Sequence, residues 1–147
     1  MHRAKRAHDL AGADFDRAIQ LEPRNAWAHY SKSALLADQF RREEALAEMD
    51  LAVKYSGKER EAWRIYHERA RLRAWASNLP GAEADEVEAV RLAPDNPLPL
   101  AFRAAMRADL NRCVEAKADV ERALTLPGAS TNSDVSAMIA RVAGRCR

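Results

Sequence analysis

The side chains of this sequence that could do chemistry are few, and their spacing argues about what they are for. Histidines stand at His2, His8, His29 and His67. A helical metal site would pair two as His-x-x-x-His, or set one beside a carboxylate at ligand spacing; neither pattern occurs, so packing is the expected role of His29 and His67. Glu83, Asp85, Glu86 and Glu88 have the oxygens for a cation site. Acidic blocks on helices usually form solvated outer faces, and that is the expectation here. Cys113 and Cys146 have no metal-type spacing. Either a disulfide or two free thiols would suit them; the basic start lacks the apolar core of a secretory signal, so free thiols in a reducing cytoplasm are expected. No glycine-rich phosphate loop and no Gly-x-Ser-x-Gly elbow is present. The chain is therefore expected to be no enzyme, with no catalytic residues, no metal and no cofactor.

Composition narrows the partners. The 147 residues carry a net charge of +2, with 31% charged residues of both signs interspersed. A nucleic-acid binder would show a basic stripe, so no nucleic-acid partner is expected. No run approaches the ~20 apolar residues of a membrane span, so no membrane partner is expected either, and the location is expected to be cytoplasmic. Only five glycines interrupt the chain, as in helical proteins.

The elements that must position these residues are announced by alanine. Ala11, Ala45, Ala82 and Ala116 recur at intervals of 34, 37 and 34 residues. Each is followed seven residues on by another alanine: Ala18, Ala52, Ala89 and Ala123. Helix axes ~8–10 Å apart accept only small side chains at their closest crossing, so these alanines should lie between helices. Phe15, Ala18 and Ile19 share one helical face. The expected helices cover about 9–22 with Asp9 as N-cap, 25–38 capped by Asn25, 41–54, a long 59–77, 81–92, 97–110 and 112–126. A last helix, capped by Asn132 or Ser133, runs to about 143. The three surplus residues of the 37-residue interval are expected at the end of the long helix, and Val87, Ala89, Val90 and Leu92 are expected to face inward.

With its period, its small residue, the aromatic Phe15 four on and the closing Pro23, the chain resembles the tetratricopeptide repeat, a 34-residue helix–turn–helix unit. The resemblance covers nearly all of 9–128. It implies an all-α fold, an α-solenoid of stacked antiparallel helix pairs in a right-handed superhelix. One repeat domain would span 1–147: a partial repeat 1–23, repeats 24–57, 58–94 and 95–128, and a C-terminal capping helix 132–145. Phe40 stands where the family usually has a turn glycine, and Glu86 where it usually has an aromatic.

The same resemblance implies a protein–protein interaction scaffold, binding a peptide or partner protein in a concave groove lined by the first helix of each repeat. By repeat position the groove would take Trp27, Tyr30, Ala34, Ala37 and Asp38, then Glu61, Arg64, Glu68, Arg71 and Leu72, then Leu98, Ala101, Ala105, Ala108 and Asp109. If the surplus residues precede the third unit's first helix, the middle set becomes Arg64, His67, Arg71, Ala74 and Trp75. Arg64 and Arg71 survive either phase. Trp63 is expected in packing and Trp27 on the surface. The alternative is a helical-repeat appendage of a longer enzyme, which the short stub before Asp9 favours. That open end would leave Phe15 or Ile19 partly uncovered and invite self-association.

Overall fold

The computed structural model describes residues 2–147. Met1, which the repeat phase sets at about the tenth position, lies outside them. Every regular element among the described residues is helical. The helices fall into two compact units, one ending at Gly57 and one running from Lys58 to Arg147.

The first unit holds α1 (His2–Leu21), α2 (Ala26–Asp38) and α3 (Arg42–Tyr55), with α2 packed on both others. Helix α1 is longer than expected. Arg3 to Ala7 are strong helix formers with no proline or glycine to stop them, so the helix runs through Asp9 instead of starting there. Asn25 caps α2 as expected: its Oδ1 accepts from the Trp27 and Ala28 amides at 3.1 and 3.2 Å.

The second unit begins with a single 3₁₀ turn (Arg60–Ala62), followed by α4 (Trp63–Trp75), α5 (Leu79–Leu92), α6 (Pro97–Asp109), α7 (Cys113–Leu124) and α8 (Ser133–Arg145). Helix α4 has 13 residues, the same as α2 and α6, so the expected long helix does not exist. The surplus residues sit ahead of α4, in the segment with the 3₁₀ turn, and this selects the shifted phase containing Arg64, His67 and Arg71. Asn78, Asn96 and Asn132 cap α5, α6 and α8 through their side-chain oxygens. Helix α6 is the hub, packed on α5, α7 and α8.

Each helix pair turns the same way. Phe40, Ser77 and Asn111 have φ of 60°, 62° and 62°, the left-handed region. In each turn the following amide bonds back to a carbonyl five residues earlier (Arg41 to Leu36, Asn78 to Arg73, Arg112 to Arg107), while the left-handed residue's own amide reaches three back. This double bond closes the helix C-terminus and absorbs carbonyls that would otherwise lack donors. Asn111 suits the conformation; Phe40 holds it at a steric cost of about 1–2 kcal/mol.

The periodic alanines lie where their spacing put them. Ala45, Ala52, Ala82, Ala89, Ala116 and Ala123 all have zero exposure. Ala11, Ala18, Phe15 and Ile19 are only half-buried, because α1 packs chiefly on α2 and so is covered on one side. Val87 departs from expectation: it is 41% exposed, since Glu86 takes the inward position and the next residue swings ~100° round the helix.

The two cysteines form a disulfide between the start of α7 and the residue after α8, correcting the expectation of free thiols. Both helices pack on α6, and this brings residues 33 apart in sequence together.

Candidate partner-binding site

The expected contact residues are placed unit by unit. In the first unit Trp27 and Tyr30, one turn apart on α2, meet edge to face with centroids 5.3 Å apart, and Trp27 is 41% exposed. Asp38 is exposed at the C-terminal end of the same helix. In the second unit Arg64 is exposed on α4, its guanidinium 5.7 Å from the centre of the Trp63 ring. Arg71, two turns on, is exposed and pairs weakly with Glu68 at 3.4 Å. Leu98 opens α6 and packs against a cluster of Ala101, Ala129 and Val135.

The small-residue stretch expected to form an open apolar end is closed. Ala101, Ala105 and Ala108 have zero exposure, covered by Val135, Met138, Val142 and Cys146 of α8 and its C-terminus. The apolar stripe of α8 needed a surface to cover, and the alanines of α6 supply one.

What stays open is a cavity of about 140 Å³, lined by Ala70, Arg71 and Ala74 of α4, Glu86 of α5, Phe102 and Met106 of α6, and Met138 and Arg141 of α8. Arg71 and Arg141 are each more than half exposed, paired with Glu68 and Asp109 respectively. Glu86 is 1% exposed and Oε1 lies 2.8 Å from His67 Nδ1. The His67 ring in turn stands edge-on to Phe102, centroids 4.7 Å apart. Burial drives both partners neutral: it lowers His67 to about 4, and it raises Glu86 well above the usual carboxylate range, with the charges of Asp85 and Glu68 adding to the effect. A carboxylic acid is the better donor and an imidazole nitrogen the better acceptor, so Oε1–H donates to Nδ1. Oε2 is left as a buried carbonyl oxygen without a hydrogen-bond partner.

Two features were missed in the sequence. The acidic run is no solvated face: Asp85 and Glu86 are 3% and 1% exposed. Asp85 is gripped by Arg69 at 2.7 and 3.0 Å and by Arg73 at 3.1 Å. The same device recurs at Asp119, held by Arg103 at 2.7 and 2.9 Å and by Arg107 at 2.9 Å. In the first unit Lys32 meets Glu48 at 3.1 Å. The signal was a base followed 16 residues later by an acid (32/48, 69/85, 103/119), in step with the alanine period. Likewise His29 and His67 do have carboxylate partners, each 19 residues on. Among the described residues no group of three or more His, Cys, Asp or Glu is placed to hold a metal.

No family model and no curated protein sequence matches the chain. Solved structures do. The Arabidopsis OM64 TPR domain is 22% identical with a TM-score of 0.69, over 82% of this chain and 95% of that one. The fold is that of the tetratricopeptide repeat. The first TPR of Spaghetti (RPAP3), bound to the HSP90 peptide SRMEEVD, is likewise 22% identical with a TM-score of 0.69, over 82% of this chain and 91% of that one. YrrB, described as a TPR protein with an unusual peptide-binding site, is 12% identical with a TM-score of 0.73, over 97% of this chain and 80% of that one. Among the described residues no helix of this repeat fold is long and apolar enough to cross a membrane.

Proposed function

We propose that the chain is a non-catalytic interaction module that binds a peptide or partner protein along the exposed face of its first helices. The observation that carries this reading is the α4 surface. Arg64 and Arg71 stand exposed two turns apart, Arg71 on the rim of an open, apolar-walled cavity, on a helix whose other side is committed to the core. Support comes from structures of the same fold whose descriptions name a bound peptide or a peptide-binding site. Trp27, Tyr30, Asp38, Arg64, Arg71 and Leu98 are the proposed contacts, with Trp27 and Tyr30 as aromatic anchors and the arginines setting orientation. The half-buried Phe15 and Ile19 of α1 make self-association through that helix a further part of the proposal. A cytoplasmic location accords with this role only if Cys113 and Cys146 are reduced there; the cystine favours an oxidising compartment.

Selection of displayed random peptides on the oxidised chain tests the proposal. Binders should weaken modestly with Arg64→Glu plus Arg71→Glu and more strongly with Trp27→Ala plus Tyr30→Ala. Peptides whose binding survives both double variants would remove these residues from consideration.

A further inference from the structure

The cavity between α4, α5, α6 and α8 contains a group for which the fold has no use. Glu86 occupies the repeat position that Met49 fills in α3, where an apolar side chain is buried at 2% exposure. An acid in that position leaves Oε2 without a partner, an arrangement that weakens the fold and calls for an explanation. His67 Nδ1 accepts the acid's own O–H, so what remains of Glu86, a residue of the cavity lining, is Oε2, a buried hydrogen-bond acceptor without an N–H. The rim offers the opposite. Arg71 and Arg141 each carry five N–H donors, more than one carboxylate partner takes up. Phe102, Met106 and Met138 make the walls apolar.

These groups select among side chains. An ammonium tip would have to pass two guanidiniums of like charge. A carboxylate would satisfy the rim but set a second acceptor against Oε2. An alkyl or thioether chain would suit the walls and leave Oε2 bare. A primary carboxamide meets all three surfaces: its NH₂ donates to Oε2, its carbonyl accepts from Arg71 or Arg141, and its methylene stem lies on the phenyl ring and the methionines. We propose that this cavity reads a glutamine side chain of the bound partner. This rests on the partner-binding reading above and specifies one residue type recognised there.

The four methionines of the chain provide the readout, since Met106 and Met138 line the cavity and Met49, in the first unit, serves as control. The oxidised full chain, ¹³C-labelled at methionine methyls, is titrated with N-acetyl-glutamine N-methylamide and with its glutamate, lysine and methionine counterparts. The glutamine compound should shift Met106 and Met138, leave Met49 in place, and bind about tenfold tighter than the others, the effect of one well-placed hydrogen bond. Glu86→Leu should abolish its advantage over the methionine compound. If that variant does not fold, Arg71→Gln with Arg141→Gln, both surface changes, should lower glutamine affinity by a similar factor. Equal shifts from all four compounds, or none from any of them, would mean that Oε2 is met by a water molecule alone, and would overturn the proposal. Displayed peptides that bind the α4 face without glutamine enrichment, with Met106 silent to every compound, would leave the interaction module standing and remove only the pocket. A glutamine response with no selectable peptide would do the reverse.

Discussion

The two units each contain a histidine bonded to a glutamate 19 residues later, and the couples have opposite fates. In the first, His29 Nδ1 lies 2.8 Å from Glu48, whose other oxygen meets Lys32 at 3.1 Å, and the glutamate keeps 16% side-chain exposure. In the second, His67 meets Glu86 at the same 2.8 Å, but the cation equivalent to Lys32 is Arg69, and it goes to Asp85. The repeats align Glu48 with Asp85 and Met49 with Glu86. One residue of displacement, a ~100° step round the helix, therefore moves the histidine's acid from the rim of the pair into its core. In α3 one glutamate serves both histidine and cation, while in α5 the two tasks fall to neighbours. The same chemistry is a part-buried clasp shared with a lysine in one unit and a fully buried couple with an orphaned oxygen in the other.

Breaking the acid–base clasps should show the difference most strongly. Asp119→Ala leaves the Arg103 guanidinium, 13% exposed, without its carboxylate, while Arg107 keeps Glu83, and should cost about 3 kcal/mol in the second unit. Glu48→Ala, beside the better-solvated Lys32, should cost the first unit well under half of that. Hydrogen exchange resolved by unit measures both; equal losses would mean that burial does not separate the clasps. Next in size is reduction of the cystine. Opening a covalent loop of this length should cost about 2–4 kcal/mol, confined to the second unit, with exchange in α1–α3 unchanged by dithiothreitol.

Changing Glu86 to methionine would copy the first unit's solution into the second. Removing a buried carbonyl without a partner should stabilise by about 1–2 kcal/mol when His67, which loses its Oε1–H donor in the same step, is changed to Phe as well; Glu86→Met alone should gain nothing. The pH dependence sharpens this expectation. Because the folded state holds Glu86 protonated above its ordinary range, Glu86's own contribution to stability falls as pH rises beyond 4.5, a loss that Glu86→Met should abolish. His67 works against it between about 4 and 6.5. Its pKa is depressed from 6.5 to about 4, so its contribution is complete above 6.5 and is lost as pH falls toward 4; His67→Phe should flatten that limb in urea titrations run across this range. The smallest effect is at the turns. Phe40→Gly should stabilise the first unit by about 1 kcal/mol, since the ring is 80% exposed and the left-handed strain disappears. Asn111→Gly should gain less, and a thermal midpoint lowered by Phe40→Gly would show that the ring's contact with Arg42 outweighs the strain.

Alanine spacing and asparagine caps were legible in the sequence because both answer to local geometry. A crossing admits only a small side chain, and a helix start needs an oxygen at one place, so Ala45 through Ala123 and Asn25 and Asn132 fell where their letters put them. The failures are positions where a residue's neighbours, not its type, decide. Asp85 reads as a solvent-facing acid until two arginines from α4 are known to enclose it. Glu86 looked like a loose aromatic substitute because nothing local says that a histidine of another helix will face it. The cysteines reach each other only through α6, and the surplus residues slipped ahead of α4 because α4 keeps the length that its two sister helices share. Of the candidate contacts Trp27, Asp38, Arg64 and Arg71 are exposed on first helices while Tyr30 and Leu98 are half-buried, and the cavity needed α8, whose docking surface no spacing announced.

The cystine also determines how the molecule carries load. A pull applied at Arg147 enters the chain next to Cys146 and crosses the sulfur–sulfur bond directly to Cys113. The 32 residues between the cysteines, α8 among them, lie on a slack branch that bears no tension while the bond stands. Force from the C-terminus is delivered instead to the turn between α6 and α7, beside Asn111 and the Arg112–Glu83 pair. Oxidised, the chain would extend by a shorter contour before arrest than its length implies; reduced, it would yield from α8 inward.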